Sequence, residues 1–197
     1  MPPHPAPVPI ETELKLVIDP GAAATLARHL ALKALKRGRA RTSRLVATYF
    51  DTPDCALAGS GIALRLRRDR NRVVQTVKGP ARADSTVGMA SRPEYEWPVA
   101  GDRLDPLRFA TTPFRRELSK AERQGLTARF VTDYVRTSIP LTFPDSTMAT
   151  LCIDVGEVRS AGGGPVVRQP IREMEIELEA GDPLRLFELA QTLALDV

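Results

Sequence analysis

Glu11, Glu13 and Lys15 stand at alternate positions near the start of the chain, in Ile10-Glu-Thr-Glu-Leu-Lys-Leu16. Side chains two apart share one face of a strand. Two carboxylates and an amine would therefore stand in a row, with Ile10, Leu14 and Leu16 on the face that suits a core. Towards the other end, Glu173, Glu175 and Glu177 alternate with Met174, Ile176 and Leu178. Between these stretches lie Arg65 and Arg67, Thr76 and Lys78, and the trio Arg92, Glu94 and Glu96. Arg136 shares a face with Tyr134 and Thr132. Asp154 stands among Leu151, Ile153 and Val155, which fall on the opposite face.

A solvated face normally intersperses lysine among its acids. Here neighbouring glutamates of the last ladder lie ~7 Å apart. Each pair repels by roughly 2 kcal/mol at an effective dielectric near 20, against about 0.6 in bulk water. The acids gather on the first, fifth and eighth strands and the cations mainly on the third, fourth and sixth. An inverted barrel accounts for this segregation, with charges lining the interior and apolar faces turned out against helices. Carboxylate oxygens suit Mg²⁺ or Mn²⁺. Arginine and lysine suit phosphate oxygens. A metal-bound polyphosphate satisfies both sets at once.

Eight strands must position these residues. Alternation and turn signals predict them at Ile10–Ile18, Arg44–Asp51, Ile62–Asp69, Arg72–Lys78, Ala90–Trp97, Thr127–Ile139, Met148–Val158 and Val166–Glu179. Arg70-Asn71 and the glycines at 162–164 read as hairpin turns, Ala81–Met89 as a mobile loop, and Pro140–Asp145 as a turn. Helices are expected over Pro20–Lys36, with Asp19 near its N-cap, in a turn through Leu57, and over Asp102–Gly125 with a break near Thr111-Thr112-Pro113. A last helix, Leu184–Leu195, follows Asp182 as N-cap and Pro183 at its first position. The fold class is α+β: an eight-stranded, mostly antiparallel barrel closed on itself, which removes sheet edges.

The 197 residues, 43% hydrophobic, suffice for one sizeable core. Residues 10–197 read as a single domain after a Pro-rich leader, 1–9, expected to be disordered and lacking the features of a signal peptide. Formal net charge is +4, from 28 basic and 24 acidic residues. That mixture argues against nucleic acid or a membrane surface as partner. No stretch of about 18 apolar residues is present to span a membrane. Cys55 and Cys152 read as reduced, buried thiols of a cytoplasmic protein. His4 and His29 are given no catalytic role, and no Gly-rich strand-to-helix loop offers a P-loop.

The residues also resemble a known family. Glu11-Thr-Glu13-Leu-Lys15 is similar to the ExExK motif of the CYTH superfamily, the triphosphate tunnel metalloenzymes. Tyr49-Phe-Asp51-Thr-Pro53, Leu57 and Gly61 through Arg67 resemble its YFDT…L…G..LRLR segment. Gln75–Gly79 resembles its T-x-K-G strand and Arg92–Glu96 its R-x-E-x-E strand. Arg136, Asp154 and the Glu173/Glu175/Glu177 ladder follow in order, so the likeness spans roughly residues 10 to 195.

The resemblance implies a tunnel holding a triphosphate and one or two divalent ions, Mg²⁺ or Mn²⁺. Glu11, Glu13, Asp154 and members of the ladder would be metal ligands, Glu175 and Glu177 preferred over Glu173. Lys15, Arg65, Arg67, Lys78, Arg92 and Arg136 would hold phosphate. Glu94 or Glu96 would bind metal or position water, and Pro93, lacking a backbone donor, leaves open which of the two points inward. Bacterial inorganic triphosphatases are the most similar subgroup, some of which carry a C-terminal CHAD domain, and the chain reads as the N-terminal part of such a protein. The implied reaction is hydrolysis of triphosphate to diphosphate and phosphate. Tyr134 is the one aromatic placed inside. That favours an inorganic substrate over the alternatives on the same fold: an adenylyl cyclase, a thiamine or nucleoside triphosphatase, or a non-catalytic polyphosphate-binding module.

Overall fold

The computed structural model describes residues 8–82, 89–162 and 164–194. Its strands are β1 (Ile10–Val17), β2 (Arg41–Asp51), β3 (Ala63–Asp69), β4 (Arg72–Lys78), β5 (Met89–Val99), β6 (Thr127–Thr142), β7 (Met148–Ser160) and β8 (Arg168–Ala180). They close into a barrel in the order β1-β5-β4-β3-β2-β6-β7-β8. Every neighbouring pair is antiparallel. The eight-stranded antiparallel barrel with flanking helices is as expected.

The barrel's apolar side is its outside. On one flank, α1 (Ala22–Leu26), α2 (Leu30–Leu35) and α5 (Leu184–Ala194) cover β1, β7 and β8. Leu26, Leu32, Leu186, Leu189 and Leu193 pack there with Leu14, Leu151, Met174 and Ile176. In α5 the buried Leu186, Leu189, Ala190 and Leu193 follow helical spacing, so one stripe meets the sheet. On the other flank, α3 (Ala56–Gly59), a 3₁₀ turn at Pro106–Thr111 and α4 (Arg115–Gln124) cover β3, β4 and β5. Leu57, Phe109 and Leu118 pack against Leu64, Val77 and Trp97. Each such leucine or phenylalanine contributes about 1.5–3 kcal/mol by leaving water.

Several expected boundaries are corrected. The stretch Pro20–Lys36 is two short helices rather than one. His29 breaks it with extended backbone, and its ring accepts the Ala31 N–H to cap α2. The first helix starts from Gly21 at φ +92, and Asp19 contributes only its carbonyl, to Ala22 N–H. β2 begins three residues earlier than expected. β6 runs on through Pro140, which pairs with Thr150 of β7. The last pair of β6 with β2 is Ser138–Arg41, so the missing N–H of Pro140 falls where no strand lies alongside. The Pro140 carbonyl on that side accepts the Arg37 N–H. At the start of the chain, the Pro9 carbonyl accepts the Glu94 N–H, one residue ahead of β1. The expectations for residues 1–7, most of the loop at 83–88, Gly163 and the end of the last helix lie outside the described residues. Cys152 is buried, whereas Cys55 is exposed; both are free thiols.

Candidate active site

Every charged residue singled out from alternation lines one central cavity of about 670 Å³. Glu11, Glu13 and Lys15 reach it from β1; Arg92, Glu94 and Glu96 from β5; Lys78 from β4; Arg65 and Arg67 from β3; Arg136 from β6; Asp154 from β7; and Glu173, Glu175 and Glu177 from β8. The question left open at Pro93 is answered: β5 keeps its alternation across the proline, and both Glu94 and Glu96 face inward.

Acids and bases meet across the tunnel. Lys78 Nζ stands 2.5 Å from Glu11 and 3.4 Å from Glu94. Arg92 donates to Glu13 at 2.5 Å. Lys15 bridges Glu173 and Glu175, at 2.7 Å to each. Arg136 forks onto Asp154 through Nε and Nη2 at 2.8 and 2.7 Å, and also donates to Glu175 and Glu177. Arg65 donates to Glu94 at 3.3 Å and to the Tyr49 hydroxyl at 3.2 Å. Arg67 and Thr76 both donate to Glu96 at 3.0 Å. These contacts relieve the repulsion expected within the glutamate ladder.

The barrel's register divides that ladder. Glu177 lies opposite Glu13 of β1, and Glu173 opposite Asp154 of β7. Two carboxylate trios result: Glu11, Glu13 and Glu177, and Asp154, Glu173 and Glu175. Within each trio one oxygen per residue lies within 4.8 Å of the others. Hard oxygen donors in such sets fit Mg²⁺ or Mn²⁺. Glu175 and Glu177, the preferred members of the ladder, thus fall in different trios, and Glu173 stands with Glu175.

Burial and charge tune these groups. Burial pushes the Glu94 carboxyl up to about 7, opposed by Lys78 and reinforced by the charge and hydrogen bond of Glu11. Burial would raise Glu11 as well, yet the charge and hydrogen bond of Lys78 bring it below the usual carboxylate range. Burial raises Glu177 against the pull of Arg136. Burial also works to raise Glu175, but Arg136 and Lys15 outweigh it and hold that carboxyl low. The Arg136 guanidinium is held more firmly protonated than usual: burial disfavours its charge, but its hydrogen bond to Asp154 and the charge of Glu175 prevail.

Two buried guanidinium nitrogens, Arg65 Nε and Arg92 Nε, have no hydrogen-bond acceptor. A desolvated donor without an acceptor costs about 1–3 kcal/mol; Arg92 Nε still has a Glu11 carboxylate oxygen 3.6 Å away, beyond hydrogen-bond reach.

Not all motif residues face the cavity. Asp51, 7% exposed, accepts the N–H groups of Thr52, Leu57 and Ala58 at 2.7–3.0 Å and ties α3 to the end of β2. Gly79 closes β4 where a Cβ would lie 2.2 Å from the Phe114 ring. Tyr95 and Trp97 face outward, as expected, and stack on each other at 6.0 Å. Tyr134 does line the cavity, but it is not the one aromatic there: Tyr49 lines it too. β2 hid this, because Leu45, Val46, Ala47, Tyr49 and Phe50 place apolar residues on both faces. Ser43 and Ser138 were likewise unmarked by charge, whereas Thr132 lines the cavity on the face of Arg136, as expected.

A closed β-tunnel whose interior carries matched rows of carboxylates and cations is a distinctive class of protein. The chain belongs to the CYTH domain family, matching it over residues 9–196. It is 30% identical over 189 residues to an inorganic triphosphatase of Haemophilus influenzae, covering 94% of this chain and 50% of that protein. The chain thus spans about half the length of that curated relative. Two solved structures share the fold. A Hippeastrum protein, described as a proposed adenylyl cyclase with a dominant triphosphatase activity, aligns with TM-score 0.55 and 18% identity over 92% of this chain and 85% of its own. A proposed adenylate cyclase of Bacillus halodurans aligns with TM-score 0.54 and 16% identity over 94% and 90%. The family match concerns the CYTH domain alone, and the CHAD expectation gains no support from it. No helix among the described residues is long and apolar enough to cross a membrane.

Proposed function

We propose that this protein hydrolyses a terminal phosphoanhydride bond of triphosphate with the help of Mg²⁺ or Mn²⁺, giving diphosphate and phosphate from inorganic triphosphate. One observation carries the reading. The cavity lining holds nine carboxylates against seven lysines and arginines. A polyanion alone would enter a site that is already net negative. Divalent cations held by the two trios remove that conflict and leave the lysines and arginines for phosphate oxygens. The relative named as an inorganic triphosphatase supports inorganic triphosphate as substrate.

Glu11, Glu13 and Glu177 would hold one ion, and Asp154, Glu173 and Glu175 a second. Bound there, the metal supplies Lewis-acid neutralisation of phosphate charge. The chain's own residues do the rest. Lys15, Arg65, Arg67, Lys78, Arg92 and Arg136 bind and align the phosphate chain, exchanging carboxylate partners for phosphate oxygens. Arg65 would use its Nε donor, which has no acceptor among the described residues. Little covalent chemistry is asked of the protein in phosphoryl transfer, so positioning and charge carry most of the rate. Glu94, titrating near neutrality, accepts the proton of the attacking water. Glu96, held by Arg67 and Thr76, orients that water from the same strand. Two free thiols accord with the cytoplasm as location.

The test is phosphate release from inorganic triphosphate with Mg²⁺ or Mn²⁺, and its loss in excess chelator. Tight binding without release, with either ion, would leave a polyphosphate-binding module instead.

A further inference from the structure

Charge divides between the inside and the outside of this molecule. Seven basic and nine acidic side chains line the cavity, out of 28 and 24 in the chain. The lining without metal is therefore net −2, and the rest of the chain is net +6. Part of that outer excess gathers at one mouth of the tunnel, where β2 begins and β3 turns into β4. Ser43, Leu45 and Ser138 line this mouth, with Asp69 and Arg72 from the β3–β4 hairpin. Arg41 stands on the face of Ser43 and Leu45 and pairs with Ser138. Leu45 pairs with Asp69, so the hairpin turn at Arg70 runs alongside the residues of β2 that precede Leu45. Arg39 lies in the link before β2, which the Arg37 N–H ties to the same end of the barrel through the Pro140 carbonyl.

These four arginines differ from those around them. Arg37, Arg44 and Arg68 are neutralised by Glu179, Asp133 and Asp102. Arg39, Arg41, Arg70 and Arg72 are exposed, and among the described residues none of them has an ion-pair partner. The sequence supplies no acid nearby on the β2 side, since none occurs between Asp19 and Asp51. Arg70 holds φ at +53, a left-handed turn position that suits glycine or asparagine. An arginine there keeps a charge at the tip of the hairpin at the expense of backbone comfort. The opposite end of the tunnel, where β7 ends and β8 begins, is lined by the apolar Val158 and Ile171.

The rim leads inward by short steps. Ser43 pairs with Arg136, and Arg67 precedes Asp69 on the same face of β3. An anion at Arg41 is two strand positions, ~7 Å, from the level of Arg136. Unpaired charges at a mouth raise the local concentration of an oppositely charged ligand and its rate of entry by about 10–10³. The effect reaches about 30 Å at 0.01 M salt and about 8 Å at 0.15 M.

We propose that this cationic rim is the entry mouth for the anionic substrate: Arg39, Arg41, Arg70 and Arg72 draw a phosphate chain to the hairpin end and deliver it to Arg67 and Arg136. The proposal rests on the reading above in taking triphosphate as the anion. It adds a direction to the tunnel and a surface that acts before the substrate is bound.

The test follows kcat/KM for inorganic triphosphate on the full chain, at constant free Mg²⁺, from about 20 to about 200 mM salt. One variant removes rim charge outside the cavity lining, Arg39→Gln with Arg41→Gln and Arg70→Asn. Its control removes the same charge from α4, Arg115→Gln with Arg116→Gln and Arg123→Gln. The parent and the control are expected to lose about tenfold in kcat/KM across the salt range. The rim variant should start about tenfold lower at low salt, with kcat within about twofold, and meet the parent at high salt. Equal salt slopes in the rim variant and the control, or a fall in kcat with the slope retained, would overturn the entry mouth. Arg70→Asn alone, which suits the turn, should give part of the effect should the triple variant fold poorly. If nothing is hydrolysed at any salt, the proposed reaction fails separately. Calorimetric binding of inorganic triphosphate at the two salt extremes, with the same variants, then decides the rim by the same comparison of slopes.

Discussion

Asp51 and Asp154 are both buried aspartates at the heart of the molecule, and they are satisfied in opposite ways. Asp51 is held by three backbone N–H groups of the turn into α3. Asp154 is held by the fork of one side chain, Arg136. Backbone donors are part of the chain's path and cannot leave without unfolding the turn. A guanidinium on a flexible stem can rotate towards another anion. The turn is thus a permanent structure, whereas the tunnel's ion pairs are partners that a ligand can replace. Charge that must be buried for folding and charge that must be available for chemistry are told apart by what neutralises them.

The largest effect should come from a tunnel carboxylate that leaves folding alone. Glu13→Gln keeps the volume and a hydrogen-bond acceptor for Arg92 but removes one carboxylate charge from its trio. Phosphate release is expected to fall by about 10²–10³ while the unfolding midpoint stays close to that of the parent. A variant that hydrolyses triphosphate at the parental rate would remove Glu13 from the site.

Arg136→Met probes the exchangeable side of the contrast more directly. Asp154, Glu175 and Glu177 lose their common cation. Removing one partner from a buried ion pair costs about 3–5 kcal/mol. Urea unfolding should show that loss in metal-free protein, and Mg²⁺ or Mn²⁺ should restore part of it by neutralising the same carboxylates. Destabilisation that is indifferent to divalent ions would mean that the network is structural, like the turn.

Asp51→Ala strands the buried N–H groups of Thr52, Leu57 and Ala58. A cost of about 2–3 kcal/mol is expected, with turnover per folded molecule unchanged. If activity fell while stability held, Asp51 would belong with the tunnel instead.

A smaller effect should follow pH. Glu94 titrates in the fold at about 7, against about 4.3 for an unperturbed glutamate. The native state therefore binds more protons between those values. Stability from protonated Glu94 is fully present below about 4.3 and is lost as pH rises through about 7. In chelator, the melting temperature should decline from pH 5 to pH 8, and Glu94→Gln should flatten that decline. An unchanged slope in the variant would assign the titration to another group.

The strands and their charged faces were readable because the pleat repeats every two residues. Glu11, Glu13 and Lys15 had to share a side whatever the rest of the chain did. Segregation of acids and cations among strands pointed to an interior, since like charges at ~7 Å are not left bare on a solvated face without reason. Where both faces of a strand are apolar, as around Tyr49 in β2, alternation says nothing. Tyr49 and its stack with Phe130, ring centres 4.4 Å apart, went unseen. The break at His29 was hidden for a related reason. Ala- and Leu-rich residues favour a helix on both sides of it, and the cap that divides them depends on one rotamer of an imidazole.

Side-chain alternation alone determined which of the singled-out charged residues line the tunnel, because the direction of each Cβ is a local property of extended backbone. It could not determine which residues of different strands meet at one depth. That depends on the stagger with which eight strands close, a sum of pairings that ends by joining β8 to β1. Only this closure sends Glu177 to Glu11 and Glu13, and Glu173 with Glu175 to Asp154, out of a ladder that in one dimension is uniform.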